Sequence, residues 1–410
     1  MELVKDYRQT AVGEIPEDWD VNNISENSTL KARIGWQGLT TSEYLSIGDY
    51  YLVTGTDFID GKIKWETCHF VNKERFIQDK NIQVKIGDIL ITKDGTIGKV
   101  AYVDRLPLQA TLNSGVFVIR PKNDAYNPLY CYYVFNSSYF DIFLKRLVAG
   151  STINHLYQKD FISFNFPLPP TKAEQVAIAT ALSDADSLIT SLEKLIKKKR
   201  AIKQGAMQQL LKPKKDWVEK TLKEVAKFRR GSFPQPYGLD KWYDDVTGFP
   251  FVQVYDVDDN FKLKGETKWK ISKEAQAMSV FIAKGSIILT IQGSIGRIAI
   301  TQYDSYVDRT LLLFESFTIP FDKYFFLLSI FILFEKEKQT APGGIIKTIT
   351  KEALSSFKIS YPKIEGQHRI AKIIFDMNED IFALEQNLSK YKMLMQGMMQ
   401  ELLTGKTRLV

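Results

Sequence analysis

The chain of 410 residues has only two cysteines, Cys68 and Cys131, and three histidines, His69, His155 and His368. Two thiols cannot build a disulfide framework, and reduced cysteines in a cytoplasmic protein are the simple reading. With no Cys-x-x-Cys or His-x-x-x-His spacing, a zinc site is argued against and no metal is expected. The amino end, Met1-Glu2-Leu3-Val4-Lys5-Asp6, lacks the apolar core of a secretory signal. The most apolar run, Tyr324 to Phe334, is too short to cross a bilayer and is closed by the charges of Glu335 to Lys338. It reads as a buried helix, with no membrane partner. Nucleotide binding is excluded as well. Gly95-Thr96-Ile97-Gly98-Lys99 imitates a phosphate loop, but a full motif needs glycine where Lys93 stands and Ser or Thr where Val100 stands. The single Pro-Pro pair, Pro169-Pro170, follows Leu168 and precedes Thr171, which does not match the motif beside a target adenine in methyltransferases. No nucleophile constellation is present, so no catalytic residue is expected.

What is present is an ordinary globular composition, 44% hydrophobic and 25% charged, with a formal net charge of +7. That length allows two or three domains, and the positive balance permits nucleic-acid binding without proving it. The decisive feature is internal repetition. The segment from Gly87 through Thr92, Gly95, Ile97, Gly98 and Lys99 reappears as Gly285, Thr290, Gly293, Ile295, Gly296 and Arg297. Asp18-Trp19 reappears as Asp216-Trp217. Downstream, Gln175, Ile178, Ala179 and Asp184 return as Gln367, Ile370, Ala371 and Asp376, and Leu210-Leu211 as Leu402-Leu403. The chain is therefore two homologous halves, each a mixed segment followed by a long helix.

Apolar, β-branched runs at 88–92 and 116–120 predict strands. Asn127-Pro128 introduces a helix over 129–147, matched by 321–338. Proline-containing extended stretches, 164–170 and 357–362, precede the long helices. In the second long helix Ile370, Ile374, Met377, Ile381, Leu384, Leu388, Tyr391, Met395, Met398 and Leu402 alternate steps of four and three, an a/d seam. In the first, Ile178, Leu182, Ala185, Ile189, Leu192 and Ile196 keep that rhythm until Lys199 and Lys203 interrupt it, while Leu195 and Ile202 widen the apolar face. The expected class is α+β: two similar α/β domains (1–166 and 214–360) separated by antiparallel coiled-coil helices (167–213 and 361–410). The carboxyl end from Leu403 to Val410 looks like the 211–217 junction cut open, which gives a circular, pseudo-two-fold arrangement.

Gly13-Glu14-Ile15-Pro16-Glu17-Asp18-Trp19, the turns 92–98 and 290–296, Pro167-Leu168-Pro169-Pro170 before Glu174-Gln175, and Leu403-Thr404-Gly405-Lys406 together resemble the specificity subunits of type I restriction–modification systems, over essentially the whole chain. The second half departs by Gly366-Gln367 where Glu-Gln is the pattern. The resemblance implies two recognition domains, each reading half of a split sequence in double-stranded DNA, with the helices as a ruler for the gap. It implies no cofactor on this chain. S-adenosylmethionine, ATP and magnesium would belong to partners: methylation subunits, two of them, docked on the helices, and restriction/translocase subunits completing the complex. A coiled-coil protein-binding adaptor, or the specificity subunit of a system with a fused nuclease–methylase, are the alternatives.

Base readout needs hydrogen-bonding side chains, and affinity needs cations at phosphates. The turns offer Lys93, Asp94, Thr96 and Lys99, against Gln292, Ser294 and Arg297, with different tips on one frame. A second candidate is the loop holding Ser151, Thr152, Asn154 and His155, loosely mirrored by Lys347 and Thr348. Arg229, Arg230 and Gln235 form a third, beside the similar stretch 31–41 with Arg33, Trp36 and Gln37. Each has a plain structural alternative as connecting loop, strand end or core. For partner docking the helical candidates are Gln175, Lys198, Arg200, Gln204, Gln367, Lys390 and Gln396, where the run 197–200 equally suits a solvated face.

Overall fold

The computed structural model describes residues 2–3, 6–148, 155–340, 349 and 351–409. It divides into two compact units, Met1–Leu192 with Asn387–Val410, and Glu193–Gln386.

In the first unit a four-stranded antiparallel sheet runs in the order Val100–Tyr102, Ile89–Thr92, Val116–Pro121, Ser28–Ala32. All four residues of Ile89–Thr92 are buried. The reason is visible in the alternation of a strand's side chains. Ile89 and Ile91, with Phe117 and Ile119, face one hydrophobic core that also holds Tyr130, Phe140 and Phe164. Leu90, with Val116 and Val118, faces a second core on the other side, around Val53 and Trp65. A strand covered on both faces needs an unbroken apolar run, which is what the sequence supplies. A second sheet pairs Tyr50–Val53 parallel to Ala110–Leu112 and antiparallel to His69–Val71.

The second unit repeats this plan. Its first sheet runs Ile298–Ile300, Ile287–Thr290, Leu311–Phe317, Ala226–Arg230. Ile287 and Leu289 face one core, and Ile288 the other. Phe249–Val252 again lies parallel to one strand, Ser305–Val307, and antiparallel to another, Trp269–Ile271. The apolar run forms the heart of the helix Lys323–Thr340, where Phe325, Phe326, Leu327, Leu328, Ile330 and Phe334 are all fully buried. The corresponding helix of the first unit is broken in two, Pro128–Phe135 and Ser138–Val148, where one helix was expected. At the break the Val134 carbonyl accepts from both the Ser137 amide, at 3.1 Å, and the Ser137 hydroxyl, at 2.7 Å.

Both long helices are unbroken, Lys172–Leu210 and Ile364–Leu402. Within the first unit, Ile178, Ala179 and Leu182 share a core with Leu402 and Leu403. Within the second, Lys203 donates to Asn378 at 2.8 Å, Arg200 to Glu385 at 2.5 Å, and Lys199 pairs with Asp380. The later residues of one helix meet the earlier residues of the other, so the pairing is antiparallel. The lysines that interrupt the apolar rhythm thus meet polar partners across the seam. Leu195 and Ile202 stay exposed and do not widen it. Among the described residues no helix is long and apolar enough to cross a membrane.

Candidate nucleic-acid interface

The duplicated turns are held by the same bonds. The Thr92 hydroxyl donates to the Thr96 carbonyl at 2.5 Å and accepts from the Lys99 amide at 2.9 Å. Thr290 does the same with Ser294 at 2.5 Å and Arg297 at 3.0 Å. Gly98 and Gly296 have φ of +81° and +87°, and a Cβ there would lie 2.4 Å from Leu144 and 2.9 Å from Phe334. Threonine and second glycine are therefore dictated by the backbone and by a helix packed against it. The tips are not. Asp94, Thr96 and Lys99 are exposed, as is Ser294, while Gln292 and Arg297 are half-buried. The Asp94 carboxylate lies against Nδ1 of His155, whose ring lies 4.5 Å from that of Tyr157. Arg297 pairs with Asp259 at 3.1 Å. Lys93 lies over the Phe117 ring at 5.4 Å, and burial lowers its pKa. Its counterpart Ile291 is a core residue, not a tip.

Asp94, Thr96 and Lys99 line a cleft of about 400 Å³ with Tyr44, Thr56, His69 and Asn113. Around it the backbone pattern recurs in the second unit. The Thr54 amide donates to the Asp57 carboxylate at 2.8 Å, and that of Gln253 to Asp256 at 2.8 Å. The Lys64 amide meets the Asp57 carbonyl at 2.9 Å, and that of Lys264 the Asp256 carbonyl at 2.8 Å. Leu52 pairs with His69 in one sheet, and Phe251 with Trp269 in the other. By these bonds Thr56 corresponds to Tyr255 and His69 to Trp269; the Leu45 amide donates to the Phe70 carbonyl as that of Asp244 does to Lys270, so Tyr44 corresponds to Tyr243. The tyrosine rests on the neighbouring ring in both, at 5.4 Å from His69 and 5.2 Å from Trp269. The second cleft, of about 580 Å³, is lined by Tyr237, Tyr243, Gln253, Tyr255, Lys268 and Trp269 among others. The turn at 293–297 lines a separate cavity of about 500 Å³ with Asp258, Asp259 and Lys338.

Sequence reasoning found Asp94, Thr96 and Lys99 but missed Tyr44, Thr56 and His69 and their counterparts Tyr243, Tyr255 and Trp269, although a signal exists. Lys62-Ile63-Lys64, Glu66-Thr67 and Lys73-Glu74 match Lys262-Leu263-Lys264, Glu266-Thr267 and Lys273-Glu274, and bracket both rings.

Of the other expected residues, Arg229, Arg230 and Gln235 are exposed. Arg33 is not: it is 1% exposed and donates to the Leu112 carbonyl at 2.9 Å and the Thr111 hydroxyl at 3.2 Å. It is a structural residue rather than a DNA-facing one. Ser151, Thr152, Asn154, Lys347 and Thr348 lie outside the described residues. On the long helices Lys198, Arg200, Gln204, Lys390 and Gln396 are exposed. Gln175 and Gln367 require correction as docking candidates. They are 3% and 2% exposed, and each carboxamide joins the start of a helix to a proline stretch. Gln175 accepts from the Asn127 amide at 2.8 Å and donates to the Pro169 carbonyl at 2.9 Å. Gln367 does so with Asp322 and Pro362, at 3.0 Å each.

The model of the type I restriction modification DNA specificity domain matches twice, over residues 16–204 and 214–390. A relative named as the MjaX specificity subunit of a type I restriction enzyme, from Methanocaldococcus jannaschii, is 25% identical over 98% of this chain and 97% of its own length. The EcoBI specificity subunit of Escherichia coli is 25% identical over 74% of this chain and 68% of its own. The crystal structure of a type I restriction–modification S subunit from M. genitalium superposes with a TM-score of 0.63 at 16% identity, covering 94% of this chain and 96% of that one. Two matched domains on a twice-repeated fold mean that this chain belongs to the type I restriction modification DNA specificity family.

Proposed function

We propose that the chain is the non-catalytic, sequence-specific DNA-binding specificity subunit of a type I restriction–modification complex. One observation carries this beyond family membership. Two domains share the hydrogen bonds of their turns and cleft frames while differing in the exposed side chains presented there, which suits two readers of different half-sites. The recognition domains span 1–166 and 214–360, and the spacer helices 167–213 and 361–410. Base and phosphate contacts fall to the tips Asp94, Thr96, Lys99, Gln292, Ser294 and Arg297, to Lys93 and His155 beside them, and to Arg229, Arg230 and Gln235. The loops of Ser151, Thr152 and Asn154, and of Lys347 and Thr348, belong to the same proposal on sequence grounds. The helices set the gap and dock two methylation subunits, with Lys198, Arg200, Gln204, Lys390 and Gln396 on the exposed docking faces. Restriction/translocase subunits join through the complex, which operates in the cytoplasm. S-adenosylmethionine, ATP and magnesium serve those partners.

Genome-wide methylation mapping in cells carrying this chain and its methylation partner tests the reading. The expected result is a split motif with adenine methylated in both halves, present only with this chain. A continuous palindrome, or methylation that does not depend on the chain, overturns it.

A further inference from the structure

The paired clefts share what a scaffold needs and differ in what a reader needs. The capping aspartates, the tyrosines Tyr44 and Tyr243, and Thr67 and Thr267 are kept. Thr56 and His69 give way to Tyr255 and Trp269, and all four are exposed. A substitution that only maintained packing would fall on buried positions, and these do not. Nor is the exchange idle in water. Large rings left about a third exposed, as Tyr255 and Trp269 are at 36% each, forgo burial that a folded chain normally gains. Each ring lies near the Lys268 ammonium, at 5.2 and 5.5 Å, so the second cleft offers aromatic faces beside a cation. The Gln253 carboxamide is held between the hydroxyls of Tyr237 and Tyr255, which fixes its direction. The first cleft offers instead a hydroxyl, an imidazole and the Asp94 carboxylate near Lys99. Carboxylates accept from the cytosine amine, carboxamides suit adenine, and apolar faces meet the thymine methyl.

We propose that these clefts contain the base-reading positions of the two recognition domains, and that the exchange of Thr56 and His69 for Tyr255 and Trp269 makes their half-sites differ. This rests on the DNA-reading function proposed above. The first domain reads by hydrogen bonding to polar base edges. The second reads with its oriented glutamine and its aromatic surface. The rings of Tyr44 and Tyr243 pack against those of His69 and Trp269 in the two clefts.

The test uses the full chain with its methylation partner. Thr56→Ala and His69→Ala are made singly, beside the swap Thr56→Tyr/His69→Trp, and methylated motifs are compared with wild type. The expected result is a change of preference of roughly 5- to 150-fold, the worth of one base contact, at one or two base pairs of one half-site. The other half-site and the gap stay as they are. Loss of specific binding by the alanine variants, with salt-sensitive binding to random duplex retained, supports the proposal equally. Both alanine variants keeping every preference within twofold, a change in the other half-site, or loss of specific and random binding together overturns it. Because Thr56 and His69 are exposed, the alanine variants decide the matter even if the swap fails to fold. A wild type without a chain-dependent split motif defeats the functional reading itself, and is distinguishable from these outcomes.

Discussion

Arg408 clamps the buried carboxylate of Glu174. One guanidinium nitrogen lies 2.7 Å from Oε2, Nε bonds Oε1, and the Glu174 side chain is 1% exposed. A further nitrogen of Arg408 reaches Asp18 at 2.9 Å. The carboxyl-terminal strand Thr407–Arg408 pairs with Glu2–Leu3, so this cation closes a junction that is covalent in the other repeat. There, Gly366 replaces Glu174. Removing one partner of a buried pair strands the other charge, at a cost of about 3–5 kcal/mol. Arg408→Ala should therefore lower the urea midpoint strongly, and Arg408→Ala/Glu174→Leu should recover much of the loss. A cost below about 1 kcal/mol, as for an exposed pair, would refute the buried-charge account.

The two glycines of the second turn should respond unequally to alanine. Both have positive φ, +71° at Gly293 and +87° at Gly296. That conformation costs an L-residue about 1–2 kcal/mol. At Gly293 the nearest atom to a new Cβ is Val254 Cγ1 at 3.5 Å, an ordinary contact. At Gly296 it is the Phe334 ring at 2.9 Å, and Phe334 is fully buried. Gly296→Ala should lose a further ~1–3 kcal/mol through overpacking. Equal thermal shifts for the two variants would show that the helix contact does not constrain the turn.

These glycines show why part of the molecule was legible in its sequence. A left-handed turn pressed against a helix admits one residue type, so the requirement is written twice in the chain. The long helices were legible because a seam repeats its apolar positions over many turns. The clefts were not, since their rings change identity between repeats and only the flanking Lys-x-Lys and Glu-Thr pairs persist. Gln175 and Gln367 looked like docking residues because their partners, Asn127 and Asp322, stand 48 and 45 residues away. Arg33 looked like Arg229 and Arg230 for a similar reason: its acceptors come from a strand 78 and 79 residues downstream.

Acid should act on the first recognition domain through Glu43. The Arg75 guanidinium at 2.6 Å and the Thr40 amide hold its carboxyl at about 2, well below the usual 4.5. A depressed carboxylate contributes stability that is fully present above its unfolded value and is lost as the pH falls through its folded one. The window therefore runs from about 4.5 down to about 2. Glu43 sits in the turn immediately before Tyr44, while in the matching turn of the second domain the buried Trp242 stands beside Lys241, which pairs with Glu274 at 3.0 Å. Glu43→Gln should flatten the dependence of the melting temperature on pH in that window. An unchanged slope would show that the pair contributes nothing to folding.

Two cations should respond differently to removal. Lys99 is exposed at the rim of the first cleft, while Arg200 lies on the first long helix and pairs with Glu385. Each phosphate contact on duplex DNA adds about 0.9 to the slope of log affinity against log salt. Lys99→Gln should reduce that slope by about one unit for any sequence, because phosphates carry no base identity. Arg200→Gln should leave the slope unchanged and cost less than ~1 kcal/mol of stability, since its ion pair is solvent-exposed. It should instead weaken assembly with the methylation subunits, read by sedimentation of the mixed complex. If Arg200→Gln lowered the salt slope while Lys99→Gln did not, the phosphate-facing surface would lie on the long helices and not at the turns.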